Sequence, residues 1–213
     1  MLGVVAVTRN KSLYVKTLHV LMAVQNLCTQ QNIPFDITFC DDADAVKMDM
    51  LKKKMKSCER LVWMEYGLSL DRDSIMSLPI RYDGYDGVIY PAALQNQVDW
   101  DRFKSESLKG TTEPVEQIAL TFDTDVSGNI IDKQFGFNTV TKTMPQLWAL
   151  DTKRVVRKMK GDKKYRTVNE YFAGCLSSSV KLAAAVQAKT FVHFPHECPG
   201  NILCVAGMTV NRH

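Results

Sequence analysis

The sequence predicts an α/β protein in which a mostly parallel sheet carries helices on its faces, and three observations support that reading. Uninterrupted apolar runs recur at residues 2–7 and 61–64, the pattern of strands buried on both sides. Stretches of helical length separate them, so the first 70 residues read β-α-β-α-β. Each of the three apparent strands ends in polar residues: Thr8-Arg9-Asn10, Asp41-Asp42-Ala43-Asp44 and Glu65-Tyr66-Gly67. Ligands of parallel sheets gather at those carboxyl ends.

Taken in order, residues 2–7 form the first strand. Ser12 is placed to cap a helix whose apolar positions are Leu18, Leu21, Met22 and Cys28, with Gln25 the break in that face. Ile33-Pro34 stops the helix, and the alternating, β-branched run 35–40 is a second strand. A helix over 45–56 precedes the strand 61–64. Beyond Pro79 the pattern changes. Residues 87–90 read as a strand, 116–126 and 129–138 as a hairpin turning at Ser127-Gly128, and 146–159 as a helix. A long helix over 167–188 and a strand over 190–194 follow. No linker or repeat divides the chain, so residues 1–213 are expected to be one domain, with a nucleotide-type half (1–78) and an acceptor and catalytic half (79–213).

Composition narrows the function classes. The chain is 46% hydrophobic and 23% charged, ordinary for a soluble globular protein, and no run approaches the length of a membrane span. The short apolar start lacks a basic leader, so no signal peptide is expected. Six scattered cysteines without a C-x-x-C pair read as reduced core residues of a cytoplasmic protein. A net charge of +4, densest at Lys52-Lys53-Lys54, fits a solvated helix face; without interleaved aromatics it argues against a nucleic-acid partner. The first turn, V-T-R-N-K-S, has no glycine-rich phosphate loop.

What remains is a set of acids at strand ends. A divalent cation held by carboxylates can carry the diphosphate of a nucleotide sugar and neutralise the charge that develops on departure. Bland readings stand beside this one. Glu65 is either a cation ligand or a solvated strand end; Asp71, Asp73 and Asp44 read as helix caps; Thr167 and Glu170 form a capping box. His193 and His196, among aromatics and proline, are either packed or ligating, and Trp148 lines a pocket or fills core.

The run W-M-E-Y-G-L-S-L-D-R-D-S-I-M-S-L resembles the segment of GT-A glycosyltransferases in which a strand leads into D-x-D and then L-D-P-D-T-L. Glu65 falls on the first acid of that motif and Gly67 on the second, where it offers no side chain. The resemblance implies a GT-A-like fold: a mixed, mostly parallel sheet flanked by helices. It implies transfer of a sugar from a nucleotide diphosphate donor, UDP by family likeness, to a glycan acceptor hydroxyl. Thr8, Arg9, Asn10, Asp41 and Asp42 would hold the nucleoside, with Tyr66 and Gly67 near the diphosphate. Glu65 and His193 would hold Mn²⁺ or Mg²⁺, and Asp151 or Glu170 would act as the catalytic carboxylate. The chain also resembles the N-terminal domain of multidomain glycosyltransferases of chlorella viruses, which implies a longer chain working in host cytoplasm. Two rivals stay open: a sugar nucleotidyltransferase, and a non-catalytic module binding nucleotide sugars or glycans.

Overall fold

The computed structural model describes residues 1–110, 120–132, 136–159, 164–186, 188, 190–192, 202–203 and 210–211. The chain opens with β1 (Leu2–Thr8), α1 (Val15–Gln30), β2 (Phe35–Asp41), α2 (Asp44–Ser57) and β3 (Arg60–Met64), in the order the sequence predicts. It continues with β4 (Leu68–Leu70), α3 (Arg72–Ser77), β5 (Gly87–Ile89), β6 (Ala93–Val98), α4 (Trp100–Lys109) and β7 (Leu120–Phe122). Next come β8 (Thr124–Asp132), β9 (Phe137–Thr143), β10 (Leu147–Asp151), α5 (Thr152–Lys158), α6 (Val168–Ser177), β11 (Leu182–Ala184) and β12 (Thr190–Val192).

Eight of these strands form one mixed sheet in the order β2-β1-β3-β10-β5-β11-β9-β8. Strand β1 pairs in parallel with β2 and β3, and β11 with β5. The other four neighbouring pairs are antiparallel, because β10 and β9 run against the remaining strands. The sheet is thus mixed, with antiparallel pairs in the majority, where the sequence suggested a mostly parallel one.

Side chains alternate between two cores, one on each face. Leu2, Val4, Ala6, Val62, Met64, Leu147 and Ala149 join Val20, Leu21 and Val24 of α1 and Ile75 of α3. On the other face Val5, Val7, Leu61, Trp63, Trp148 and Leu150 meet α2, α5 and α6 through Met48, Leu51, Val155 and Phe172. The period-2 alternation of each strand therefore seals two helical layers at once, as a sheet buried on both sides requires. At the start of β1, Gly3 makes room for its neighbour: a Cβ there would sit 2.3 Å from Cys58 Sγ.

Several elements depart from the sequence reading. Ser12 does not cap α1. Its hydroxyl donates to the Arg9 carbonyl at 2.7 Å, closing a two-residue turn in which Asn10 and Lys11 have φ of 52° and 56°. The helix starts two residues later, after Tyr14, and buries Thr17, Val20, Leu21, Val24, Leu27 and Cys28. Leu18 and Met22, expected in the core, are exposed. Asp44 is the first residue of α2 rather than its cap, whereas Asp71 caps α3 as expected, accepting from Ser74 N at 2.8 Å.

The helix expected over 146–159 divides into β10 and the short α5, since Leu147 to Asp151 is wholly buried between β3 and β5. The expected turn at Ser127-Gly128 lies inside β8, at a shift of register against β9; a strand glycine marks a bulge as readily as a turn. The long helix over 167–188 ends at Ser177, and Ser179, with φ of 61°, turns the chain into β11. Among the described residues no helix is long and apolar enough to cross a membrane.

Candidate functional site

Strand β1 leads through α1 to β2 on one side, and β2 leads through α2 to β3 on the other. The order reverses around β1, and α1 and α2 lie on opposite faces. Such a reversal opens a crevice beyond the strand carboxyl ends. A cavity of about 250 Å³ lies at these ends, lined by Arg9, Asp42, Asp44, Lys47, Glu65 and Tyr66. The far wall is the β9–β10 connection (Met144, Pro145, Gln146) and the start of α6 (Thr167, Val168, Asn169).

Its floor is a chain of alternating charges. Arg9 donates to Asp42 Oδ2 through Nε at 3.0 Å and Nη2 at 2.7 Å. Lys47, one turn into α2, donates to Asp42 Oδ1 at 2.9 Å and to Glu65 Oε2 at 3.4 Å. The other oxygen of Glu65 accepts the indole N–H of Trp63 at 2.9 Å. Burial pushes the Asp42 carboxyl up, but hydrogen bonds and charge from Lys47 and Arg9 outweigh it and hold the group below the usual range. For Glu65 the balance is opposite: burial wins over Lys47 and Trp63, and its carboxyl lies above the usual range. Burial works against the Lys47 ammonium too, yet Glu65 and Asp42 together raise it, so the cation persists at neutral pH.

Tyr66 adds an aromatic wall. The Arg9 guanidinium carbon lies 5.0 Å from its ring centroid, and the Tyr14 ring meets it edge-on at 5.7 Å. Gly67, with φ of +79°, then turns the chain from β3 into β4, a conformation that favours glycine. On the opposite wall Thr167 caps α6 by accepting from Glu170 N at 3.1 Å, and Glu170 Oε2 accepts from Arg166 N at 2.8 Å. The amides of Val168 and Asn169, at the first two positions of the helix, have no acceptor within it and carry the positive end of its dipole.

Of the residues singled out in the sequence, Arg9, Asp42, Glu65 and Tyr66 come together here. Thr8 turns its hydroxyl to the Cys40 carbonyl, and Asp41 accepts from Asp42 N at 2.9 Å; neither lines the cavity. Asn10 serves the turn after β1. Asp151 lies at the far end of the sheet, because β10 runs against β3 and pairs Asp151 with Arg60. There it caps α5, accepting from Arg154 N at 3.0 Å, so the distance a general base needs is not met from this pocket. Glu170 is the exposed partner of a capping box beside the cavity wall. Trp148 is core, stacked on Trp63 with centroids 5.6 Å apart. His193 and His196 lie outside the described residues.

A divalent cation held here would have to share these carboxylates with the partners they already have. Both oxygens of Glu65 and both of Asp42 already accept hydrogen bonds, and Lys47 occupies the space between the two groups. Asp44, the second acid of the literal D-x-D at 42–44, lies 4.0 Å from Lys47 Nζ and has no nearer charged partner among the described residues. Among the described residues no three His, Cys, Asp or Glu side chains converge on a point.

Three contributors escaped the sequence reading. Lys47 was hidden among the lysines of α2, although its place five residues after Asp42 is a signal. Gln146 accepts Glu65 N at 2.9 Å through its carbonyl, and its own N–H donates to Asp123 Oδ2 at 3.0 Å. Asp123, 4% exposed, also accepts from Ala92 N at 3.1 Å and the Thr124 hydroxyl at 2.9 Å. It thereby fixes the wall opposite Arg9; in the sequence it is one of two acids in the alternating run Leu120-Thr121-Phe122-Asp123-Thr124-Asp125, with nothing to single it out.

No family model matches the chain, and no curated protein matches it. Among solved structures it is similar to the crystal structure of A197 from STIV, with a TM-score of 0.53 over 100% of this chain and 96% of that one. At 13% identity that similarity concerns the fold alone.

Proposed function

We propose that this chain is a nucleotide-sugar-dependent glycosyltransferase domain of the GT-A type, with its donor site at the carboxyl ends of β1, β2 and β3. The observation that carries the proposal is the cavity at the reversal of strand order, where Arg9, Lys47 and the N-terminal residues of α6 line one space. Two cations and a helix N-terminus suit a diphosphate, and Tyr66 with Asp42 suits a nucleoside at the adjoining wall. In the reaction the bond from the anomeric carbon to the diphosphate oxygen breaks, and the diphosphate leaves with the electron pair. A bond forms to the acceptor oxygen, whose proton passes to a base. Positive groups fixed beside the departing diphosphate stabilise the charge it gains.

The test is a thermal-shift and calorimetric panel of UDP, GDP and their common sugar conjugates, followed by assays for sugar release or transfer. Binding of a nucleotide diphosphate with turnover supports the reading; no binding by any member refutes it. A second reading, a non-catalytic module for the same ligand, is favoured by one observation: the half-buried acids lining the cavity, Asp42 and Glu65, are held in ion pairs rather than left free to act as a base. Binding without turnover would select it.

A further inference from the structure

We infer that Lys47 takes the place of a divalent cation in this pocket, so that the nucleoside diphosphate is bound by the protein's own charges. The inference rests on the donor site proposed above and specifies how that site meets its diphosphate. Where a cation would bridge Glu65 and the ligand, the structure has an ammonium 3.4 Å from Glu65 and 2.9 Å from Asp42. Its side chain is 14% exposed, so it lies in the wall rather than on a mobile surface.

An ammonium has three N–H groups, and Asp42 and Glu65 engage two. Asp44 Oδ1, at 4.0 Å, is beyond hydrogen-bond reach, which leaves the third for a phosphate oxygen. The carboxylates hold the cation in position and keep it charged. Arg9 and the first two residues of α6, Val168 and Asn169, line the same cavity. Gly67, which has no side chain to complete a cation's shell, is consistent with this arrangement.

The experiment titrates UDP into the whole chain in excess EDTA and again in millimolar Mn²⁺. The expected result is a Kd that agrees within about threefold between the two buffers. In EDTA, Lys47→Met should weaken UDP binding by about tenfold or more, the usual size of a lost charge-assisted contact, while Lys47→Arg should retain most of it. Should Lys47→Met fail to fold with two acids left unpaired, the double variant Lys47→Met/Glu65→Gln removes the pair together and is titrated against Glu65→Gln, with the same tenfold loss expected. UDP bound only with Mn²⁺, or bound in EDTA equally well without Lys47, overturns the inference and leaves the donor site standing. Where the panel selects GDP the same titrations use GDP, and a nucleoside diphosphate bound in neither buffer overturns both.

Discussion

Glu65→Gln separates a cation ligand from a carboxylate that steadies a lysine. In the fold Glu65 accepts from Trp63 at 2.9 Å and from Lys47 at 3.4 Å, yet burial still raises its carboxyl above the usual range. A raised carboxyl means that folding favours the uncharged form; its stabilising contribution is complete below the unfolded pKa and is lost as pH rises through the folded one. A neutral side chain of equal size therefore gives up little at neutral pH. Gln keeps an acceptor for the Trp63 indole, and Lys47 keeps Asp42 at 2.9 Å. The expected change in unfolding free energy is within about 1 kcal/mol. For the ligand, the variant removes a negative charge from the lining of the cavity, taken here at a separation of about 6 Å from a bound diphosphate. With an effective dielectric of roughly 40 to 80, Coulomb's law gives about 1 kcal/mol, or about fivefold tighter UDP binding in EDTA. Calorimetry with UDP, paired with a urea melt, measures both quantities. A loss of tenfold or more in Mn²⁺, with the melt unchanged, would refute this reasoning and restore Glu65 as a cation ligand.

Burial pushes Asp123 from an ordinary value near 3.8 to about 6 despite its hydrogen bonds from Gln146, Ala92 and Thr124, so its contribution to stability is lost as pH rises through about 6. The stability of the wild type relative to Asp123→Asn should fall by about 2 kcal/mol between about pH 4 and pH 7, and a difference independent of pH contradicts the assignment. Asp151→Ala removes the cap of α5 and should lower stability by about 1–2 kcal/mol while UDP affinity stays at the wild-type value; a change in affinity would mean that the far end of the sheet communicates with the pocket. Trp148→Ala empties a wholly buried site between Trp63 and Phe172 and should destabilise by about 3–5 kcal/mol in a urea melt, whereas a loss under 1 kcal/mol is incompatible with a core role.

The first half of the fold was legible because local pattern and tertiary use coincide there. Residues 2–7 and 61–64 are buried on both faces and read as continuous apolar runs, and the polar triplets after them mark the strand ends that meet at the cavity. The second half was obscured where short apolar runs carry no period of their own. Leu147 to Asp151 fits a helix as well as a strand until β3 and β5 claim its two edges. The alanines of β11 favour a helix by propensity and are overridden by their place beside β5. In the site, acids at strand ends were conspicuous and the lysine between them was not. A cation's role depends on what lies across space from it, and Glu65 is 18 residues away from Lys47 in the chain.

The reversed strand at the middle of the sheet also dictates an order of assembly. Strand β3 can join β1 as soon as residue 64 exists, but its second edge waits for β10, whose Leu147 pairs with Met64 across about 80 residues. Closing a loop of that length adds about 4 kcal/mol of length-dependent entropy to the step. Until β10 arrives, the run Leu61-Val62-Trp63-Met64 presents an open edge with no charge, proline or glycine to discourage pairing with another chain. A nascent or truncated chain ending before residue 147 would therefore carry its most adhesive surface at the centre of the future sheet, and β10 acts as the native occupant that silences it.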